Sequence, residues 1–490
     1  MDADMDSPGK FSSMTGVGKL LAEGPFELLT LIQLFLDPID ILALRFTCKH
    51  VSGTTRSRIV WVNALRNVSI AQGVFLPSFP VEQMSSDDLE HAALSPHQSR
   101  ARFQKADKTT PFLTRPFAPH FQGGDLAANS ILTVHLVPGG RFLFTSNRQG
   151  EVHLWDIGNY AGGHMKSLPV ATLAGSEARP SCVEHIRPAS NSDSLYVFTS
   201  EQNRRISCYE IYPTSEDPRF SRISTLWFNA YNIRITSSKD YLVCHRRADS
   251  YFTVWKYAAD GLSVSGDISD DEPGYLCETF IFDKNVITFH TTDFRLWTIP
   301  DLTPLINGHI KLEPQLRLAY LSIAEQGPRV ALPSCWLPEL AQNQFGIYYD
   351  EISMMALYQI KSIDTAQESD LPNILPIHSG SVQHSQPRNP PIYREIDDVG
   401  PLHITEDGFL HILTMASSDV AIGIILKPRP NNPTWSFVRS SIWNESRRDF
   451  DFDSVVYDFC PMAGRLVICF LGLNGREVQI LDFTPPRSFL

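Results

Sequence analysis

The sequence predicts a small helical module followed by a much larger all-β domain, in which repeated four-stranded sheets close into a ring. Three observations carry this multidomain α plus all-β expectation. Leu28, Ile32, Phe35 and Leu36 fall at i, i+4, i+7 and i+8, one face of a helix. From about residue 110 that spacing gives way to short alternating runs separated by Gly, Asn, Asp and Pro. Within those runs an apolar–aromatic–x–apolar strand ending recurs, at Leu154-Trp155-Asp156-Ile157, Cys208-Tyr209-Glu210-Ile211, Val254-Trp255-Lys256-Tyr257, Leu296-Trp297-Thr298-Ile299 and Leu357-Tyr358-Gln359-Ile360. Weaker versions stand at Gly423-Ile424-Ile425-Leu426 and Ile480-Leu481-Asp482-Phe483. Intervals of about 40 residues or more suit a ring of repeated sheets, none of which buries both faces alone.

The helical module occupies residues 21–67, after a Ser-, Gly- and Asp-rich tail over 1–20 that reads as disordered. Asp37-Pro38 ends the first helix and starts a second, Asp37 as cap and Pro38 at the first helical position. Ile41, Leu44 and Cys48 continue an apolar face, and a third helix around Ser57 to Arg66 sets Trp61 and Leu65 one turn apart. Residues 68–109 read as a helical linker. Within it, Ser85 with Asp88 and Ser95-Pro96 with Gln98 are capping-box patterns that predict a pair of helices.

The β domain covers 110–490. Its clearest unit runs from Leu132 to Ile157. Leu132, Val134 and Leu136 alternate, Pro138-Gly139-Gly140 turns, Arg141 to Thr145 forms a second strand, and Glu151 to Ile157 a third. Residues 361–400 carry five prolines with Ser, Gln and Asn, and read as a mobile insertion. The chain ends shortly after a third strand at Ile480 to Phe483. Closure of the ring therefore needs an outer strand from elsewhere, and Thr110 to Phe117 is the candidate, since Pro111 and Pro116 are tolerated on an edge.

Composition narrows the function. At 490 residues the chain is too long for one ordinary core. A net charge of −12 argues against generic nucleic-acid binding. The 8 cysteines include no CxxC pair, which points to reduced thiols in the cytoplasm or nucleus and not to a disulfide framework or zinc site. Asp2, Asp4 and Asp6 stand where a signal peptide would be basic, and Leu28 to Phe46 is too interrupted by Gln33, Asp37, Asp40 and Arg45 to span a membrane. Gly16-Val17-Gly18-Lys19 lacks the hydroxyl residue and preceding strand of a phosphate loop. Cys244-His245 on a strand reads as a core cysteine beside a surface histidine. Asp267, Asp270, Asp271 and Glu272 lack calcium-loop spacing and read as a solvated turn. No catalytic, metal or cofactor site is expected.

Residues 24–65 resemble the F-box family. Gly24-Pro25-Phe26-Glu27-Leu28-Leu29 is similar to its opening Leu-Pro-x-Glu-Leu-Leu, with Gly24 in place of Leu. Leu36 to Leu44 resembles its central segment, and Thr47-Cys48-Lys49-His50 with Trp61 and Leu65 its end. Residues 110–490 resemble a WD-repeat β-propeller, for which seven blades are expected. Only Trp155-Asp156 gives that family's signature dipeptide; Gly175-Ser176 replaces Gly-His and Gln149-Gly150 replaces Asp-Gly.

These resemblances imply a non-enzymatic substrate receptor of an SCF-type cullin-RING ubiquitin ligase. Pro25, Leu28, Leu29, Ile32, Leu36, Leu44 and Cys48 would bind the adaptor, and through it the cullin. The apolar content of so small a bundle exceeds what it can hide on one side. The propeller would hold a target protein. Arg148, Arg204 with Arg205, and Arg246 with Arg247 fall in the turn between second and third strands of the first three blades, and would receive an acidic or phosphorylated segment. Two alternatives stand beside this: an interaction scaffold that binds the adaptor without delivering substrate, and a propeller enzyme with polar groups converging in its central channel.

Overall fold

The computed structural model describes residues 23–105, 108–120, 130–160, 163–175, 181–201, 205–228, 233–246, 251–258, 262–267, 276–299, 302, 309–311, 313–319, 329–349, 354–362, 374–383, 399–405, 408–415, 419–428, 434, 436–444, 455–470 and 477–486. The tail over 1–20 lies outside them. The chain divides into two compact units. The first comprises Met1–Val68 and Val81–Leu94, the second Ser69–Pro80 and Ser95–Leu490.

The first unit holds α1 (Phe26–Gln33), α2 (Pro38–Arg45), α3 (Lys49–Thr54), α4 (Arg58–Ala71) up to Val68, and α5 (Ser86–Lys105) up to Leu94. Its core is Leu29, Ile41, Val51, Val60, Trp61, Ala64, Leu65, Leu89 and Ala93. Leu89 and Ala93 come from the region read as linker, so the module recruits a further helix to complete a core that α1 to α4 do not enclose alone. Arg45 ties that helix in with a two-pronged ion pair to Glu90 (2.8 and 2.7 Å), and its guanidinium lies over Trp61. The expected boundary at Asp37-Pro38 is present with Pro38 at the first helical position, but the Asp37 side chain makes no cap. Helix α3 and the early end of α1 at Gln33 were not legible. The chain tightens there through Leu36 N–H to the Gln33 carbonyl at 3.2 Å. The expected helix pair over 85–106 is one helix, α5. Ser85 and Asp88 form the predicted box, each accepting the other's amide (2.9 and 3.2 Å). Pro96 instead sits inside the helix, and Ser95 Oγ donates to the Met462 carbonyl at 3.0 Å, within the second unit.

The second unit opens with β1 (Leu113–Phe117) and contains seven sheets among the described residues. Sheet 1 holds β2 (Ile131–Leu136), β3 (Phe142–Asn147), β4 (Val152–Asp156) and β5 (Ala171–Leu173). Sheet 2 holds β6 (Ser181–Pro188), β7 (Leu195–Glu201), β8 (Arg205–Ile211) and β9 (Ser221–Trp227). Sheet 3 holds β10 (Ile233–Ser237), β11 (Leu242–Arg246), β12 (Tyr251–Lys256) and β13 (Leu262–Asp267). Sheet 4 holds β14 (Leu276–Phe282), β15 (Asn285–His290) and β16 (Asp293–Thr298). The strand that follows, β17 (His309–Lys311), pairs in parallel with β13 as a fifth strand of sheet 3, and β18 (Leu316–Ala319) then completes sheet 4. Sheet 5 holds β19 (Arg329–Ala331), β20 (Gln344–Tyr349), β21 (Met354–Ser362) and β22 (Ile374–Gln383). Sheet 6 holds β23 (Val399–Thr405), β24 (Gly408–Met415), β25 (Asp419–Leu426) and β26 (Ser436–Asn444). Sheet 7 holds β27 (Val455–Cys460), β28 (Arg465–Phe470), β29 (Glu477–Asp482) and β1.

Each recurring sequence ending falls on the third strand of its sheet: β4, β8, β12, β16, β21, β25 and β29. The sheets pack in cyclic order through shared apolar clusters. Sheet 1 meets sheet 2 around Phe144 and Val197, 2 meets 3 around Phe198 and Trp255, and 3 meets 4 around Val254 and Trp297. Sheet 4 meets 5 around Phe289 and Phe345, 5 meets 6 around Met355 and Ile425, and 6 meets 7 around Ile424 and Leu466. Sheet 7 returns to sheet 1, where the Leu136 amide donates to Asp458 at 2.6 Å. The strand expected to close the ring does so: β1 pairs antiparallel with β29, from Leu113 opposite Asp482 to Phe117 opposite Val478.

Two boundary expectations change. Residues 361–400 are not one mobile insertion, since β22 lies within them as the outer strand of sheet 5. Pro376 fits there because an edge strand leaves one row of amides unused. Residues 110–490 are likewise not the whole ring unit. Phe75 is buried against Phe142 and Trp336, and its amide donates to the Pro138 carbonyl at 3.0 Å. Phe103 packs between Phe459 and Phe483. Gly139 (φ +110°) has to be glycine, because a Cβ would lie 2.5 Å from Ser78 Cβ.

A second-strand to third-strand hydrogen bond recurs in some of the sheets. In sheets 1 and 4 the third-strand tryptophan donates to a threonine on the second strand, Trp155 to Thr145 at 2.9 Å and Trp297 to Thr288 at 2.8 Å. The equivalent pair in sheet 3 is Trp255 with Cys244, and Trp255 Nε1 is buried without a partner. In sheet 2 it is Tyr209 with Thr199, and Thr199 Oγ1 is the orphan. Replacing Cys244 with Thr is therefore expected to give Trp255 its acceptor and to stabilise the ring by about 1 kcal/mol. Urea unfolding of the variant checks this; a lower midpoint would refute it.

Candidate functional site

The first unit leaves an unusual amount of large apolar surface in solvent. Phe35 is 88% and Phe46 85% exposed, and Phe26, Leu28, Leu31, Ile39 and Ile59 are all exposed as well. Helix α1 turns only Leu29 and Gln33 inward. Gln33 belongs there because Nε2 donates to Thr54 Oγ1 at 2.6 Å. The opposite side of α1 presents Leu28 and Leu31, with Phe35 following the helix.

Of the residues expected to meet an adaptor, Pro25 and Leu28 are exposed, and Ile32, Leu36, Leu44 and Cys48 are half-buried. Leu29, at 2% exposure, is core and offers no surface. Phe26, Leu31, Ile39, Phe46 and Ile59 are exposed apolar residues outside the expected set. Leu28, Leu31 and Phe35 do share an i, i+3, i+7 spacing, but a buried glutamine on the other face hides which side points inward.

The arginine-bearing turns are placed only in part. Arg204 and Arg247 lie outside the described residues. Arg148 is exposed in the β3–β4 turn, Arg205 opens β8, and Arg246 ends β11, so one lies within and two flank the turn between second and third strands of consecutive sheets. The segments around Phe75 and Ser95 dock on the first-to-second strand turns, at Pro138 and Met462, which lie at the other ends of the strands. The arginine ends are therefore not covered by them. Arg205 is not a free cation, however: its guanidinium pairs with Glu201 across its own hairpin.

Polar groups on the inner, first strands mostly link one sheet to the next. His135 Nε2 lies 2.9 Å from the Val183 carbonyl, and His185 Nε2 2.7 Å from Ser237 Oγ. His245 is fully buried and faces Glu278 at 3.7 Å, so the expected surface position for it is wrong; the neighbouring sheet covers that face too. Burial holds His135 below its usual range and, with the Arg187 and His135 charges, pushes His185 down to about 3. Burial raises the Asp458 carboxyl to about 6 against the two amides it accepts.

A depressed histidine binds its proton in the unfolded chain first. Its contribution is thus complete above about pH 6.5 and is lost as pH falls toward 3. Asp458 acts in the opposite sense, favouring the fold as pH falls through 6. Between pH 7 and 5, His185→Asn should remove about 1–2 kcal/mol of acid destabilisation relative to the parent chain. Urea titrations at the two pH values measure the difference, and equal losses would exclude the assignment.

Among the described residues no group of three or more His, Cys, Asp or Glu is arranged to hold a metal ion, and no helix is long and apolar enough to cross a membrane. The second unit has the architecture of a β-propeller, by its sheets of four or five strands, its cyclic packing and the closure of sheet 7 by β1. No protein-family profile matches the sequence, and no curated protein matches it. Among solved structures, the chain is similar to the β-propeller domain of Myceliophteria thermophila Cps50 (Swd1), at 10% identity and a TM-score of 0.44, over 76% of this chain and 99% of that one. It is similar also to the WD40 repeats of RRP9, at 13% identity and a TM-score of 0.43, over 76% and 98%.

Proposed function

We propose that the chain is the substrate-recognition subunit of an SCF-type cullin-RING ubiquitin ligase. The observation that carries this reading is the apolar surface of the first unit. A module of this size that leaves Phe26, Leu28, Leu31, Phe35 and Phe46 in water has the character of half an interface. Combined with the F-box-like sequence from Gly24 to Leu65, that surface suits docking on the ligase adaptor, and through it on the cullin. The seven sheets are read as seven blades of a propeller whose arginine-bearing turns receive an acidic or phosphorylated segment of the client. The mechanism is proximity: the client's lysines are held at high effective concentration near the charged ubiquitin-conjugating enzyme, which supplies the chemistry.

Reconstitution tests this. The purified chain mixed with adaptor and cullin–RING should co-elute as one complex. In cells, proteins captured by the propeller should carry ubiquitin only when the apolar surface of the first unit is intact. A chain that never joins the cullin complex refutes the reading.

A further inference from the structure

Arg187 is a buried cation with no counter-ion among the described residues. It sits near the end of β6 with 7% of its surface exposed. Its Nη1 has no hydrogen-bond partner, and Nε reaches only the Pro188 carbonyl, at 3.4 Å. It forms no ion pair with any described residue, unlike the ring's other deeply buried guanidiniums. Arg115 and Arg465 both lie against Asp482, and Arg295 lies against Asp293.

The surroundings explain why no partner comes from within. Tyr196 stands opposite Arg187 in the sheet. The Tyr257 hydroxyl is committed to the carbonyls of Ser238 and Lys239 (3.2 and 2.6 Å). Cys335, from the segment between β19 and β20, reaches the Ile186 carbonyl at 3.7 Å. The Arg187 charge is felt by Cys208, Tyr257 and Cys335, where it opposes the upward push of burial. Glu210 is a carboxylate near the same Tyr196, but it accepts from Ser194 Oγ at 2.6 Å and makes no ion pair with Arg187.

A water molecule would satisfy the orphan N–H but not the charge, and an unpaired buried charge is strongly destabilising. A guanidinium offers two parallel N–H groups matched to two oxygens of one anion. So enclosed a group admits a small ion and excludes a polypeptide surface. We propose that Arg187 anchors a small-oxyanion site, where β6, the residues after β12 and the segment between β19 and β20 meet, and that it takes a free phosphate or carboxylate.

The test uses the full chain melted in buffer of constant ionic strength, chloride being exchanged for inorganic phosphate or, separately, for acetate. The midpoint should rise and saturate with at least one of the two ions. Which one responds tells phosphate from carboxylate. In Arg187→Met the response should vanish, while the midpoint in chloride equals or exceeds that of the parent. Arg187→Lys, which keeps the charge and loses the fork, should bind the ion about ten-fold more weakly by calorimetry and covers the case in which the methionine variant does not fold. Glu210→Gln should keep the response. No saturable rise in the parent chain overturns the site. So does a response that survives in Arg187→Met, or a Glu210→Gln chain whose melting falls and whose ion response is lost, since Glu210 would then be an internal partner or part of the site.

Discussion

Capture of the ligase adaptor should be lost when Leu28 and Phe35 are both replaced with aspartate. Each side chain is exposed, Leu28 at 41% and Phe35 at 88%, and neither belongs to the buried core of the first unit, so the unit loses little packing of its own. In a docked complex the same positions would bury carboxylates with no partner, at several kcal/mol each. Affinity should therefore fall by about a thousand-fold or more. Ile32 and Leu29 make poorer probes, because half-burial of the first and full burial of the second would confuse lost docking with lost folding. Co-purification with adaptor and cullin, beside a far-ultraviolet spectrum and a melting curve, reads the two effects apart. Undiminished capture by a folded double variant would show that this face does not dock.

The second large effect is expected at the seam of the ring. Asp482 is 1% exposed and accepts from Arg465 Nε at 2.6 Å and from Arg115 Nε at 3.1 Å. Arg115 belongs to β1 and Arg465 to β28, so one carboxylate joins the closing strand to the sheet it closes. Arg465 also donates to the carbonyls of Gly140, in the β2–β3 turn, and Gly158, just after β4. Asp482→Ala would leave two buried guanidiniums facing one another, which should cost about 3–5 kcal/mol. Hydrogen exchange at Leu113 to Phe117 should accelerate before exchange elsewhere in the ring, because β1 has no other strand to pair with among the described residues. Exchange there matching the parent chain, with an unchanged urea midpoint, would remove Asp482 from the closure.

Much of this architecture was readable from residue order. Trp155, Tyr209, Trp255, Trp297 and Tyr358, with the weaker endings at Ile424 and Leu481, mark third strands because a strand buried on both sides must be apolar on both faces. That demand writes itself into the sequence as a short run. The closing strand at Leu113 to Phe117 was readable for a related reason: an unpaired edge is a liability, and a proline is tolerated only beside one. Ser85 with Asp88 was readable because a helix start satisfies its amides locally.

What failed were the features whose partner lies far along the chain. Ser95-Pro96 has the local pattern of a helix start, yet α5 runs straight through it. Leu89, Ala93, Phe75 and Phe103 look like linker residues until the cores they complete are seen. His245 was placed on the surface by strand alternation, which is correct for a sheet with one free face and wrong for a sheet covered on both. The same limit applies to charge. Residue order shows arginines at Arg148, Arg205 and Arg246, but only the fold shows that Arg205 is neutralised by Glu201 while Arg187, in an unremarkable strand, pairs with no carboxylate among the described residues. Local patterning thus determined the order of helices and strands, because capping, alternation and edge protection act within a few residues. Tertiary structure decided which apolar side chains remain outside and which charges stay unpaired, because burial and ion pairing depend on neighbours that the chain brings together only on folding.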